Sequence, residues 1–133
     1  MDTKMKEELK LSEKRTLIIG ASLKSIRTSY TAMEMLTDHG VPALGVGLKP
    51  GKVANVDIQK GLDGIEEGEF HTVTMYMNAK RQADYIDFIL GIAPKRIIFN
   101  PGAENPDLFN AATEKGIECL NACTLVMLNF GQF

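Results

Sequence analysis

Gly20, Ala21 and Ser22 follow the apolar run Thr16-Leu17-Ile18-Ile19, and Ser25 and Arg27 come shortly after. A small-residue turn between a strand and a helix is suited to holding an anion. Glycine lets the backbone approach closely, the amides of Ala21 and Ser22 face the ligand, and the Ser22 or Ser25 hydroxyl can bond it. Lys24 and Arg27 add positive charge. The same residues would also make an ordinary turn with solvated cations. Gly20 matches the first glycine of the dinucleotide fingerprint, but Ser22 and Ser25 stand at the second and third positions. Ordinary NAD is therefore not the expected ligand.

Lys49, with Lys52 nearby, follows the second apolar run, Ala43–Leu48. NAD-binding domains place an Asp or Glu at that strand end to hold the ribose hydroxyls. Cations there suit a phosphorylated ribose, as in NADP or coenzyme A, although a basic surface loop would have the same residues. Met75, Tyr76 and Met77, followed by Asn78, form an adaptable apolar wall for an adenine or else belong to the core. Asn100, Pro101 and Gly102 make a turn before a helix whose amides point outward. Cys123 lies near a helix start, which lowers a thiol pKa when the sulfur faces it; a buried, inert cysteine is the alternative. Cys119 and Cys123 form neither a disulfide framework nor a zinc motif, and His39 and His71 fall in different elements. Neither a metal site nor a general acid–base pair is expected.

These residues sit at the ends of short apolar runs that read as buried strands: Arg15–Gly20, Ala43–Leu48, Thr72–Tyr76, Arg96–Phe99 and Ile117–Leu120. Helical patterns lie between most of them, at Ser29–His39, Ala79–Leu90 and Asn105–Lys115, with a short helix at Thr124–Asn129. Asn105 is a capping residue and Pro106 suits the first helical position. Alternation of this kind predicts an α/β domain with a doubly wound, five-stranded, mainly parallel sheet and helices on both faces. Ligands of such sheets bind at the carboxyl ends of the strands. Gly51–Gly68 shows no strong period, with one helical turn expected around Asp57–Lys60. Residues 1–14 read as a polar extension, either frayed or a short helix docking through Met5, Leu9 and Leu11, and 15–133 as the folded domain.

The 133 residues suit one domain, and 44% hydrophobic with 24% charged residues is ordinary for a globular protein. A net charge of −2 gives no support for nucleic-acid binding, and no apolar run approaches a membrane span. The charged start lacks the apolar core of a secretion signal, so a cytoplasmic location is expected. Phe130 and Phe133 are expected to be exposed, as contact points for a possible homodimer.

Five segments together carry a family resemblance: Ile19-Gly20-Ala21-Ser22, Arg27-Thr28-Ser29-Tyr30, Val46 to Lys52, Asn100 to Asn105, and Cys119 to Leu128. From about Lys14 onward the chain resembles the small single-domain coenzyme A-binding proteins, which are similar to the nucleotide-binding domain of the succinyl-CoA synthetase alpha subunit. The resemblance implies a Rossmann-like fold that holds coenzyme A by its nucleotide end. Gly20, Ala21 and Ser22 would cradle the pyrophosphate and Lys49 would lie near the ribose phosphate. Tyr76, Met77 and Asn78 would border the adenine or the pantetheine arm, with Asn100, Pro101 and Gly102 closing the other side. The phosphorylated histidine of the ligase members belongs to a separate domain with no counterpart here. The chain departs from the family pattern at Thr28 and Thr124, where relatives often carry proline. The expected function is binding of coenzyme A or an acyl-CoA without chemistry. The alternatives are an NADP- or other nucleotide-dependent enzyme, or an interaction subunit.

Overall fold

The computed structural model describes residues 9–133. Its elements, in order, are β1 (Thr16–Ala21), α1 (Thr28–Asp38), β2 (Ala43–Gly47), β3 (Gly51–Val53), β4 (Val56–Gln59), β5 (Thr72–Met75), α2 (Ala79–Gln82), α3 (Ile86–Ile92), β6 (Arg96–Phe99), α4 (Pro106–Glu114), β7 (Glu118–Asn121) and α5 (Thr124–Asn129). The strands form one sheet in the order β3-β4-β2-β1-β5-β6-β7. All neighbours are parallel except the β3–β4 pair. From β1 the chain works outward through β2 to β4, then returns to lay β5 on the other side of β1. The strand order reverses between β1 and β5.

Alternating side chains divide the core. Leu17 and Ile19 of β1, Val73 and Met75 of β5, and Ile97 and Phe99 of β6 face α3 and α4, where they meet Ile89, Ile92, Leu108 and Ala112. Ile18 and Ile98 face the opposite side, against Met33 and Leu36 of α1 and Met127 and Leu128 of α5. Burial on both faces explains why the central strands read as continuous apolar runs. The middle of the sheet also holds paired polar groups. Asn100 Nδ2 donates to Thr74 Oγ1 at 2.7 Å and to the Met75 carbonyl at 2.8 Å. Its Oδ1 accepts from the Thr124 amide at 2.8 Å, which ties the start of α5 to the ends of β5 and β6.

Several expectations are corrected. The sheet has seven strands rather than five. The supposed helical turn at Asp57–Lys60 is instead part of the β3–β4 hairpin. Val53, Val56 and Ile58 are buried while Lys52 and Asp57 are exposed, a period-two pattern that a two-residue turn at Ala54-Asn55 interrupts. The helix expected over Ala79–Leu90 breaks into α2, a 3₁₀ turn at Ala83–Tyr85, and α3. Gln82 anchors α2 to neighbouring loops, Ile89 and Ile92 anchor α3 to the sheet, and the tighter turn joins the two. Leu11 packs on the core within a short 3₁₀ turn, whereas Leu9 is exposed; Met5 lies outside the described residues. Phe133 is not exposed. Its ring lies 4.4 Å from the Arg96 guanidinium, and its carbonyl accepts from Arg96 Nη1 at 2.6 Å and from Lys14 Nζ at 2.8 Å. No helix among the described residues is long and apolar enough to cross a membrane.

The amino edge of the sheet gathers positive charge. The Thr72 hydroxyl accepts from Arg96 Nε at 3.0 Å and lies 2.7 Å from His71 Nδ1. Burial, and then Arg96, Lys14 and Lys95, push the His71 imidazole down from 6.5 to about 4. His71 therefore stays neutral in the folded protein where the unfolded chain would take up a proton. Stability should fall as pH drops from 6.5 toward 4, and His71→Gln should remove that part of the loss. Allowing for solvent screening, the difference in acid-induced loss is on the order of 1 kcal/mol, checked by urea unfolding of both proteins across this range.

A close approach between β1 and β2 provides a second test. A Cβ on Gly47 would strike the Ala21 carbonyl oxygen. Gly47→Ala should cost about 2–4 kcal/mol in urea unfolding, because neither backbone can yield without breaking the ladder.

Candidate functional site

At the carboxyl ends of β1 and β5, where the strand order reverses, the loops part to leave a cleft of about 560 Å³. Ligands of open α/β sheets bind at this position. One wall is the turn after β1. Gly20 holds φ +96°, and a Cβ there would lie 3.0 Å from the Tyr76 carbonyl carbon. Only glycine serves at a site with both restrictions. The β1–β2 register skips Gly20, passing from Ile19–Val46 to Ala21–Gly47, and the resulting bulge turns the backbone into the cleft. Ser22 Oγ accepts from the Lys24 amide at 3.1 Å, so this hydroxyl shapes the loop and keeps its own proton to donate.

The turn ends in α1. Arg27 is its N-cap and gives no side-chain cap; the Tyr30 amide bonds the Arg27 carbonyl at 3.1 Å, and no side chain caps the amides of Thr28 and Ser29. Thr28 and Ser29, at the start of this eleven-residue helix, line the cleft. An open helix start attracts an anion through its amides and its dipole. Lys24, Arg27, Lys49 and Arg81 also line the cleft, and no Asp or Glu among the described residues does. The lining thus has a formal charge of +4 on a chain whose net charge is −2. Lys52 does not contribute: it lies on β3 with its ammonium 4.0 Å from Asp57.

The opposite wall is Tyr76, Met77 and Asn78 after β5, with Pro101, Gly102 and Ala103 after β6. Asn78 Oδ1 accepts from the Arg81 amide at 3.0 Å and starts α2. Gln82, completely buried, joins the two loops. Its Nε2 donates to the Met77 carbonyl at 2.8 Å and to the Ala103 carbonyl at 2.7 Å. Its Oε1 accepts from Asn105 Nδ2 at 2.9 Å, and Asn105 Oδ1 caps α4 through the Leu108 amide. The wall is therefore fixed from beneath by an amide chain with all these bonds made. The Tyr76 ring borders the cleft while its hydroxyl is buried without a hydrogen bond, and burial pushes the phenol up to about 12.

Of the residues expected from sequence, Gly20, Ala21, Ser22, Arg27, Lys49, Tyr76, Met77, Asn78, Pro101 and Gly102 all line this cleft. Ser25 is exposed and outside the lining. Asn100 supports the site from below, its side chain occupied with Thr74, Met75 and Thr124. Cys123 is half-buried at the N-cap of α5, outside the lining, and burial raises the Cys119 thiol pKa. Sequence reasoning missed Arg81 and Tyr85, which lie beyond the strand end in the next helical segment; proximity to a strand end cannot find them. Among the described residues no group of His, Cys, Asp and Glu is arranged to hold a metal.

A mostly parallel sheet with helices on both faces and a cationic cleft at its strand-order reversal defines a Rossmann-like α/β domain. The chain belongs to the CoA binding domain family, whose model matches residues 14–129. A solved protein described as uncharacterized is 43% identical, covering 90% of this chain and 98% of its own, with a TM-score of 0.83. A hypothetical protein from Pyrococcus horikoshii OT3 is 21% identical, over 90% of this chain and 85% of its own, with a TM-score of 0.78. A D-lactate dehydrogenase from Treponema pallidum shares the fold alone, at 14% identity and a TM-score of 0.63, over 93% of this chain and 39% of its own. No curated protein matches.

Gln82 offers a direct test of how the far wall is held. Gln82→Leu leaves the Met77 and Ala103 carbonyls and the Asn105 amide without their partner. The expected cost is about 2–4 kcal/mol in denaturant unfolding, with faster amide exchange in both loops.

Proposed function

We propose that this cleft binds coenzyme A, free or acylated, by its nucleotide end, and that the chain does no chemistry on it. The observation that carries the reading is the charge beside the open start of α1: Lys24, Arg27 and Lys49 line that flank of the cleft, and no Asp or Glu among the described residues does. A ligand with several phosphates satisfies that arrangement, and membership of the family points to coenzyme A in particular. In this reading the Ala21 and Ser22 amides, with the start of α1, hold the pyrophosphate. Lys24 and Arg27 neutralise it, and Lys49 at the tip of β2 meets the phosphorylated ribose. Tyr76, Met77 and Pro101 flank the neutral arm. The absence of a carboxylate at the end of β2 disfavours an unphosphorylated ribose, which needs an acceptor for its hydroxyls. His71 lies at the amino edge of the sheet and His39 binds the Met35 carbonyl within α1, so neither imidazole is placed to move a proton in the cleft.

Titration calorimetry with coenzyme A, 3′-dephospho-coenzyme A and NADPH tests the reading. Coenzyme A should bind about tenfold more tightly than its dephospho form, the scale of one charge-assisted contact. Lys49→Ala should remove most of that difference while leaving dephospho-coenzyme A nearly unaffected. No heat with coenzyme A in folded protein, or tighter binding of NADPH, would sink the proposal.

A further inference from the structure

The four cations of the cleft are not on one side. Lys24 and Arg27 belong to the β1–α1 turn and Lys49 to the tip of β2, all on the flank that runs outward from β1 through β2. Arg81 stands on α2, beyond β5, on the other flank, and Tyr85 lines the cleft four residues further on. Coenzyme A has all its phosphates at the nucleotide end, and its pantetheine arm is neutral. With the phosphates held on the flank of Lys24, Arg27 and Lys49, the part of the ligand that extends toward Arg81 is the neutral pantetheine arm and whatever acyl group it carries.

The Arg81 guanidinium has no salt bridge among the described residues, and the Tyr85 hydroxyl has no hydrogen bond there. The nearby carboxylates do not compensate Arg81 within the cleft. Asp84 and Asp87 do not line it, and Glu104 accepts from the Gly102 amide at 2.9 Å. Arg81 and Tyr85, four positions apart, line the same cleft, and a guanidinium with a phenol hydroxyl is a donor set for a carboxylate, which can accept from both. The backbone beneath is fixed: the Arg81 amide is bonded to Asn78, and Gln82 ties α2 to the Met77 and Ala103 loops. From this placement we infer that the cleft selects acyl thioesters of coenzyme A whose acyl group ends in a carboxylate, with Arg81 and Tyr85 as the residues that recognise it. The inference rests on the nucleotide end being held as proposed above.

The full chain is titrated with matched thioester pairs, malonyl- against propionyl-coenzyme A and glutaryl- against pentanoyl-coenzyme A, so that two reaches are sampled. At least one acidic member should bind about five- to tenfold more tightly than its neutral partner. Arg81→Gln should abolish the preference and leave the affinity for free coenzyme A within about twofold; Tyr85→Phe should reduce the preference in part. Both side chains line an open cleft, so the variants should fold, as circular dichroism would verify. Equal binding within both pairs, or a preference that survives Arg81→Gln, overturns the inference and leaves the nucleotide reading standing. A loss of free coenzyme A affinity in Arg81→Gln as large as the loss for the acidic thioester also overturns it, since Arg81 then serves a phosphate. Failure of the wild type to bind coenzyme A at all overturns both readings.

Discussion

The structure depends on how closely β1 and β5 run together before they part. Their ladder is regular from Thr16–Thr72 to Ile19–Met75, and one more bond carries it from the Tyr76 amide to the Ile19 carbonyl at 2.8 Å. There the two backbones are so near that residue 20 can have no side chain. Beyond that point the connections leave in opposite directions, to α1 on one face and to α2 on the other. A gap at this place is a necessity of the strand order, and the sheet cannot fill it with its own side chains. The chain concentrates cations there, where the field of an open helix start has the same sign. In isolation such an accumulation is unfavourable, so the cleft is at its most stable with an anion in it.

Buried amides hold the rims of this gap. Asn100 and Gln82 are both polar residues in an apolar interior, where an unpaired group costs more than a missing contact. Each has side-chain bonds to loops that would otherwise be loose: Asn100 to the end of β5 and the start of α5, Gln82 to the turns after β5 and β6. Such bonds demand particular distances, which apolar packing does not. The groups that line the cleft are consequently set on a framework held by the protein's own side-chain bonds.

Much of this was legible in the chain, for physical reasons that also mark where legibility stops. The strands now numbered β1, β2, β5, β6 and β7 are buried on parallel ladders, and their apolar runs stand out against polar helices. The β3–β4 hairpin did not stand out, because its strands are short, glycine-flanked and only half apolar. Position at a strand end identified most of the cleft but not the direction of a side chain. Asn100 and Pro101 are adjacent in sequence, yet one faces the interior and the other the cleft. Arg81 carried no signal at all, since an arginine on a short helix looks solvated until the fold brings it to a wall. Phe133 was misjudged for the converse reason: its burial is created by Arg96, 37 residues earlier, and no local pattern predicts such a pair.

The strand order also bears on how the molecule comes together. The segment from β1 to β4 already contains neighbours of one another, whereas β5 must travel back across the sheet to reach β1. Pairings at such sequence separation form late, because their loop entropy is lost before their contacts are gained. The cleft has one wall from each half of the chain. A half-assembled molecule, however well its first strands are ordered, has only one side of this cleft. The complete cleft thus exists only in chains that have made their longest-range pairing.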